Sequence, residues 1–408
     1  MGDFLINKSD KSLFQSLSEV AKKFISEISI TGVVMKVIAT TRQAISTVRD
    51  LDTALVNLKK ASKMSASELN NFYLSANDIA KQMGVTTKEI IEQASAWSRL
   101  GFNTSDAAAK MAKYSSMFAT ISPGMDLNSA ADGLVSVMKA FKIGLEDTDE
   151  VIDGIMSKIN IIGNTQAVSN SDIVDFLTQS SSTMAEANNT LEDTIALGTA
   201  MTEITRDAAG AGQVLKTISM RMRGYDEETR EFIGNAKELS GKIADLTKTA
   251  SAPGGISLFS DEANTNYKST RQLLQEISEI YDQLTDKNQD ELLEVLGGKQ
   301  NEQVIAAVLN NFDTVTSSLE SMANSAGNAE AEMSVAMDSI DYKLNKVKET
   351  GTGIAQNLFA GEETKSILDI ISSLGDGLDW LTGKLGLFKS IGLGSLGVGI
   401  TSFVKNFA

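Results

Sequence analysis

The sequence predicts an all-α fold: an elongated multi-helix protein with helical hairpins, coiled-coil seams and at most one small β-hairpin near 255–268. Three observations predict it. Only 2 prolines interrupt 408 residues, so few positions carry the missing N–H and ring clash that break a helix. Aromatics make up only 6% of a chain that is 42% hydrophobic, which suits slim helical layers better than one bulky core. Apolar residues recur at steps of three and four over most of the chain, the period of a helix face.

Composition also removes chemistry. There is no histidine and no cysteine. The usual neutral-pH base, the Ser-His-Asp arrangement and the imidazole and thiolate ligands of zinc sites are therefore absent. No disulfide forms, and the redox compartment is not readable. Carboxylates, Lys, Ser/Thr and Tyr are what remains for catalysis. The net charge of −16 argues against sequence-specific nucleic-acid binding, which needs clustered positive charge. The first residues do not read as a secretory signal, since Asp3 and Lys8 interrupt them.

Four stretches follow from the patterning. Residues 1–63 read as an N-terminal amphipathic or coiled-coil helix. Val37, Thr41, Ala44, Val48, Leu51, Leu55 and Leu58 alternate steps of four and three, the spacing of a self-association seam. An ordinary amphipathic helix accounts for the same spacing. Residues 64–250 form a helical core. Its helix starts carry capping-box spacings at Ser65/Glu68, Thr86/Glu89, Ser169/Asp172 and Thr190/Asp193. Segments 85–111 and 188–215 both run cap, acid, apolar helix, corner, Asp-Ala-Ala, second helix. Two helical hairpins of one design would explain this, and so would chance likeness between Ala-rich helices.

Residues 251–350 open with the break Ser251-Ala252-Pro253-Gly254-Gly255. "ISLFS" and "NYKST" then flank Asp261-Glu262 as a candidate hairpin. Helices resume at 269–286, 288–297 and 301–325. One long amphipathic helix is expected over 329–350, with Met333, Met337, Ile340, Leu344 and Val347 as its packing face. Residues 351–408 form an amphipathic and Gly-rich apolar tail. Trp380 suits a membrane interface. Ile391, Leu393, Leu396, Val398, Ile400 and Phe403 lie in or near an uncharged, glycine-broken run over 390–404. That run is shorter than a membrane span needs. It reads as a buried terminal hairpin, a membrane-seeking segment, or the start of a longer apolar region.

Motifs for catalysis and ligands fail on inspection. Gly297-Gly298-Lys299-Gln300 lacks the strand, the spacing and the Ser/Thr of a phosphate loop. It reads as a helix–helix corner, as do Gly101 and Gly144. Gly210-Ala211-Gly212 is no dinucleotide fingerprint, and is read as a tight helix approach or a flexible corner. Asp147-Thr148-Asp149 lacks the third ligand position and glycine of a calcium loop. Arg221 and Arg223 form the one compact basic spot, with Asp226, Glu227 and Glu228 beside them, and read as a local ion-pair cluster. No catalytic, cofactor or metal residue is assigned.

The order of features resembles the core region of phage tail tape measure proteins. The theme of helix, Gly-Phe corner and acid-Ala-Ala helix stands at 96–120. A helix ending in a Phe-x-x-Gly corner follows at 126–144. The longest similar block is 172–222, and 269–311 is similar to the family's later helices, with a leucine-rich helix ending at Gly-Gly-Lys. The likeness spans roughly residues 60–350, with 64–250 as the tape-measure core. It implies a non-enzymatic scaffold made in the host cytoplasm and placed in the lumen of the virion tail tube, where it sets tail length and assists DNA ejection. It also implies partners: further copies of itself, the tail tube protein, tail assembly chaperones and tail-tip proteins, and the host membrane. An alternative reading from the residues is a membrane-active helical protein that inserts through its Gly-rich C-terminal segment.

Overall fold

A computed structural model describes residues 50–143, 149–225 and 236–359. Sixteen α-helices fall within them. The first, α1, covers 50–61. It is followed by α2 (Ala66–Met83), α3 (Thr87–Arg99), α4 (Ser105–Thr120), α5 (Leu127–Ala140), α6 (Asp149–Thr165), α7 (Asn170–Glu186), α8 (Leu191–Thr205) and α9 (Ala208–Arg221). Then come α10 (Ala236–Leu246), α11 (Thr270–Ser278), a 3-10 turn (Tyr281–Gln283), α12 (Asp286–Gly297), α13 (Glu302–Asn310), α14 (Asp313–Ala323), α15 (Asn328–Ala336) and α16 (Ile340–Phe359). No strand longer than a single bridged pair occurs among the described residues.

The capping boxes explain several helix starts. At Ser65, Thr86, Ser169 and Thr190 the hydroxyl accepts from the N3 amide while the N3 acid accepts from the cap amide. Each such cap is worth about 1 kcal/mol. A fifth box, Ser269 with Gln272, starts α11.

The chain divides into two compact units. The first takes in described residues 50–116 and 335–359; the second is 117–334. In the first unit, Leu51, Leu55 and Leu58 of α1 pack with Phe72 and Tyr73 of α2 and Ile90, Ile91 and Ala94 of α3. Burying each such leucine or isoleucine contributes about 1.5–3 kcal/mol.

The second unit is built round α8. Every residue of α8 from Leu191 to Thr202 except Glu192 is buried, as expected of a helix apolar on all sides. Small residues let its neighbours approach. A Cβ on Gly198 would sit 2.4 Å from the Phe176 ring, and one on Gly212 only 2.7 Å from the Phe176 carbonyl oxygen. Gly212 is thus the tight helix approach, where α9 crosses α7.

Between α10 and α11 the chain makes a minimal hairpin. Phe259 bridges Tyr267 in antiparallel fashion, with Ser260 N–H donating to Asn266 O and Lys268 N–H to Leu258 O. The Asp261 carboxylate closes the turn by accepting from the Thr265 and Asn266 amides. The Pro253 break therefore lies inside the second unit.

Three expected helices are each divided. The stretch 269–286 ends as α11 at Ser278 and resumes only as the 3-10 turn Tyr281–Gln283. The stretch 301–325 breaks at Asn311–Phe312. The long helix expected over 329–350 breaks at 337–339, where Ser339 Oγ accepts from Tyr342 N–H and starts α16 afresh. The expected packing stripe is divided as well. Met333 is buried, whereas Met337 is 37% and Leu344 47% exposed. The face of α16 that docks is a polar one.

Candidate functional site

α16 lies across the corner between α2 and α3, and polar atoms hold it there. Gly84 ends α2 in the left-handed conformation at φ 72°. The Tyr342 ring rests on it so closely that a Cβ would meet the ring at 2.4 Å. Glycine is needed here for both reasons. The Tyr342 hydroxyl is shared between Lys81 O (3.0 Å) and Gln82 O (2.7 Å), last-turn carbonyls that α2 leaves open. Burial pushes the Tyr342 phenol above its ordinary value, which keeps it a donor. One turn on, Asn345 Nδ2 donates to Gly84 O at 3.0 Å.

Glu349 completes the attachment. It is 2% exposed. Its Oε2 accepts from Thr87 N–H at 2.9 Å and from Thr87 Oγ1 at 2.6 Å. A carboxylate on the first amide of α3 complements the positive end of that helix. Asn77 of α2 donates through Nδ2 to Thr87 Oγ1 and to Glu349 O. Gly353 then lets α16 come within contact of Asn77, where a Cβ would lie 2.3 Å from Asn77 Oδ1. These bonds join residues some 260–272 positions apart. Nothing local in the sequence announces them. Tyr342, Asn345, Glu349 and Gly353 do fall at steps of three and four, so a polar docking face was present in the pattern beside the apolar one.

Within the second unit, the Gly297–Gly298 corner is set by capping. Gly298 takes φ 72° and closes α12 with its N–H on Glu294 O. Asn301 N–H donates to Gly298 O, and Asn301 Nδ2 to Gly297 O. Arg221 lays its guanidinium on the same helix end, donating to Val295 O and Glu294 O. Lys299 points back to Glu294 at 3.8 Å, with its side chain 79% exposed, a pairing of little energetic weight. Arg223 does for α7 what Arg221 does for α12. It donates to Glu186 O at 2.9 Å and lies 5.0 Å over the Tyr267 ring. Burial lowers its pKa. Both arginines are C-terminal helix caps, as favours the helix dipole. Asp226, Glu227 and Glu228 lie outside the described residues.

A second carboxylate has two tasks. Asp193 closes the capping box of α8, and its Oδ1 lies 2.6 Å from Arg271 Nε in the first turn of α11. The direction of the N–H does not favour a hydrogen bond, so the contact is an ion pair. Asn189 ties the same helices by accepting from Arg271 N–H and donating to Thr270 Oγ1.

The residues singled out in the sequence are dispersed. Leu51, Leu55 and Leu58 face the core of their own unit. Val37, Ala44 and Val48 lie outside the described residues. Gly101 turns the chain after α3 at φ 109°, with Phe102 edge-on to the buried Trp97 ring at 5.0 Å. Gly144 lies outside the described residues, as do Trp380, Ile391, Leu393, Leu396, Val398, Ile400 and Phe403. Among the described residues no helix is long and apolar enough to cross a membrane. No group of three or more acidic side chains there could hold a metal.

The described residues form an all-α protein of helices joined by caps and corners. Residues 73–298 match the phage-related minor tail protein family. That is more than half of the 408 residues, and the chain belongs to this family. It is a component of the phage tail. No solved structure matches the chain.

Proposed function

We propose that this chain is a tail tape measure protein. Copies occupy the lumen of the tail tube during assembly, set its length, and leave before the DNA passes. The observation that carries the reading is the minor tail family match over a chain whose described residues are almost wholly helices and corners. Helix rises about 1.5 Å per residue, so residue number converts directly into distance. A net charge of −16 keeps the chain from clinging to DNA that uses the same channel. The role needs no catalysis. The tube protein, assembly chaperones and tail-tip proteins are the partners that such a scaffold meets.

An antibody raised to residues 60–350 tests the location on particles from the source. Label confined to tails, and exposed only when tubes are broken or unassembled, is the expected result. Label absent from every particle would overturn it.

A further inference from the structure

We infer that the docking of α16 is a releasable clasp, and that opening it is what lets the chain extend. The clasp closes a loop. Residues 81–87 and 342–349 are hydrogen-bonded to each other, so the stretch 88–341 begins and ends at one corner. Laid out as helix, the roughly 250 residues between would span about 380 Å. While the clasp is shut, none of that distance separates the two ends of the loop. A chain that measures by its extent must open here, and in this respect the inference rests on the tape measure reading.

The bonding suits release. The Tyr342 hydroxyl and Asn345 Nδ2 donate to Lys81 O, Gln82 O and Gly84 O, and Glu349 accepts from Thr87 N–H. These are the open carbonyls that end α2 and the open amide that starts α3, groups that no intrahelical bond uses. Opening hands them to water and leaves both helices whole. The corner keeps its own caps without α16. Gly84 N–H stays on Ala80 O, Thr86 and Glu89 keep their capping box, and Asn77 keeps its bond to Thr87 Oγ1. The Glu349 carboxylate, 2% exposed when docked, regains its hydration. On the outer side of α16, Asp341, Leu344, Lys346 and Lys348 are exposed already.

The isolated full-length chain tests the release. The Thr87 amide should exchange its hydrogen in step with 342–353 and ahead of Ile90 and Ile91 inside α3. Exchange of Thr87 only together with the interior of α3 would overturn a clasp that opens by itself. Assembled tails test the opening. The chain has no cysteine, so Asn77→Cys with Gly353→Cys makes a single pair. A Cβ at Gly353 would lie 3.0 Å from Asn77 Cγ, where the new sulfur would stand, a spacing that suits a disulfide. A mild thiol oxidant should bridge the pair in the free chain, read as a shift on a non-reducing gel, and the bridge should be lost in tails. A pair that bridges equally in both, or that does not bridge in the free chain, would overturn the clasp. Equal deletions inside and outside 88–341 separate this from the tape measure reading. With the clasp open, both shorten the tail alike. Shortening by the outer deletion alone would mean that the chain measures with its clasp shut. Shortening by neither would remove the ruler and leave the cross-link to decide the clasp.

Discussion

Two helices, α8 and α16, each carry a buried acid that caps a helix start, α8 its own and α16 that of α3, and they are held in opposite ways. α8 is enclosed on all sides, with Asp193 capping its own first turn and pairing with Arg271. Its fit depends on shape: the Phe176 ring fills the space that Gly198 leaves, and Gly212 brings α9 onto the α7 backbone. α16 lies on one side only, and its acid, Glu349, serves another helix's amide across some 262 residues of chain. The charge differs in the same sense. Residues 117–334 hold 34 acids against 15 Lys and Arg, whereas the segments on either side hold 19 against 22. Close packing can hold a unit that carries a large excess of one charge. Directed polar bonds hold a helix that returns from far along the chain without asking it to bury an apolar face.

The sharpest way to break this contrast is to spoil the packing. Gly212→Val forces side-chain atoms onto backbone that cannot swing aside, and should cost the second unit about 3 kcal/mol or more. Chemical denaturation with a probe in 117–334 measures it. The polar attachment is next. Glu349→Ala leaves the Thr87 amide buried without a partner and should cost the first unit about 2–4 kcal/mol. Glu349→Gln keeps an acceptor and should recover most of that loss. Amide exchange should quicken at 77–90 and 340–353 in the alanine variant and stay unchanged in 117–334.

Salt should separate the two units more gently. Added salt screens the self-repulsion of the acidic unit, so the unfolding temperature of 117–334 should rise while that of the first unit stays level. The smallest effect concerns Asp153. Burial, and then the Glu330 charge, raise its carboxyl above the ordinary value, and its Oδ1 is buried with no hydrogen-bond partner. The folded chain thus holds this proton more tightly than the unfolded chain does. Its contribution is present at low pH and is lost as pH rises from the ordinary carboxylate range through the raised pKa. Asp153→Asn should therefore stabilise the second unit slightly at neutral pH and change little below pH 4. The residue is only partly buried, and Ser157 Oγ donates to its other oxygen, which keeps the effect small.

Local chemistry made part of this legible in advance. Each capping box is a pattern four residues long, so Ser65, Thr86, Ser169 and Thr190 could be read directly. The hairpin was legible because its turn residues and flanking apolar runs are adjacent in the chain. The break at 337–339 was not, since Ala336, Met337, Asp338 and Ser339 include neither glycine nor proline. The mark that is there is Ser339, whose hydroxyl accepts from Tyr342 N–H at the new helix start. Arg221 and Arg223 look paired with the acids that follow them, because carbonyl ends of helices 37 to 74 residues away leave no mark beside them. The apolar stripe of 333–347 was legible as a stripe, while its division between a buried Met333 and an exposed Leu344 depends on tertiary structure.

The central claim is that this chain measures the tail. The most direct test is tail length by electron microscopy for particles carrying in-frame deletions and duplications of whole helical turns in this gene. A change of 30 helical residues should shift the tail by about 45 Å in the same direction, with length following residue number across the series. Tails of unchanged length across the series would contradict the account.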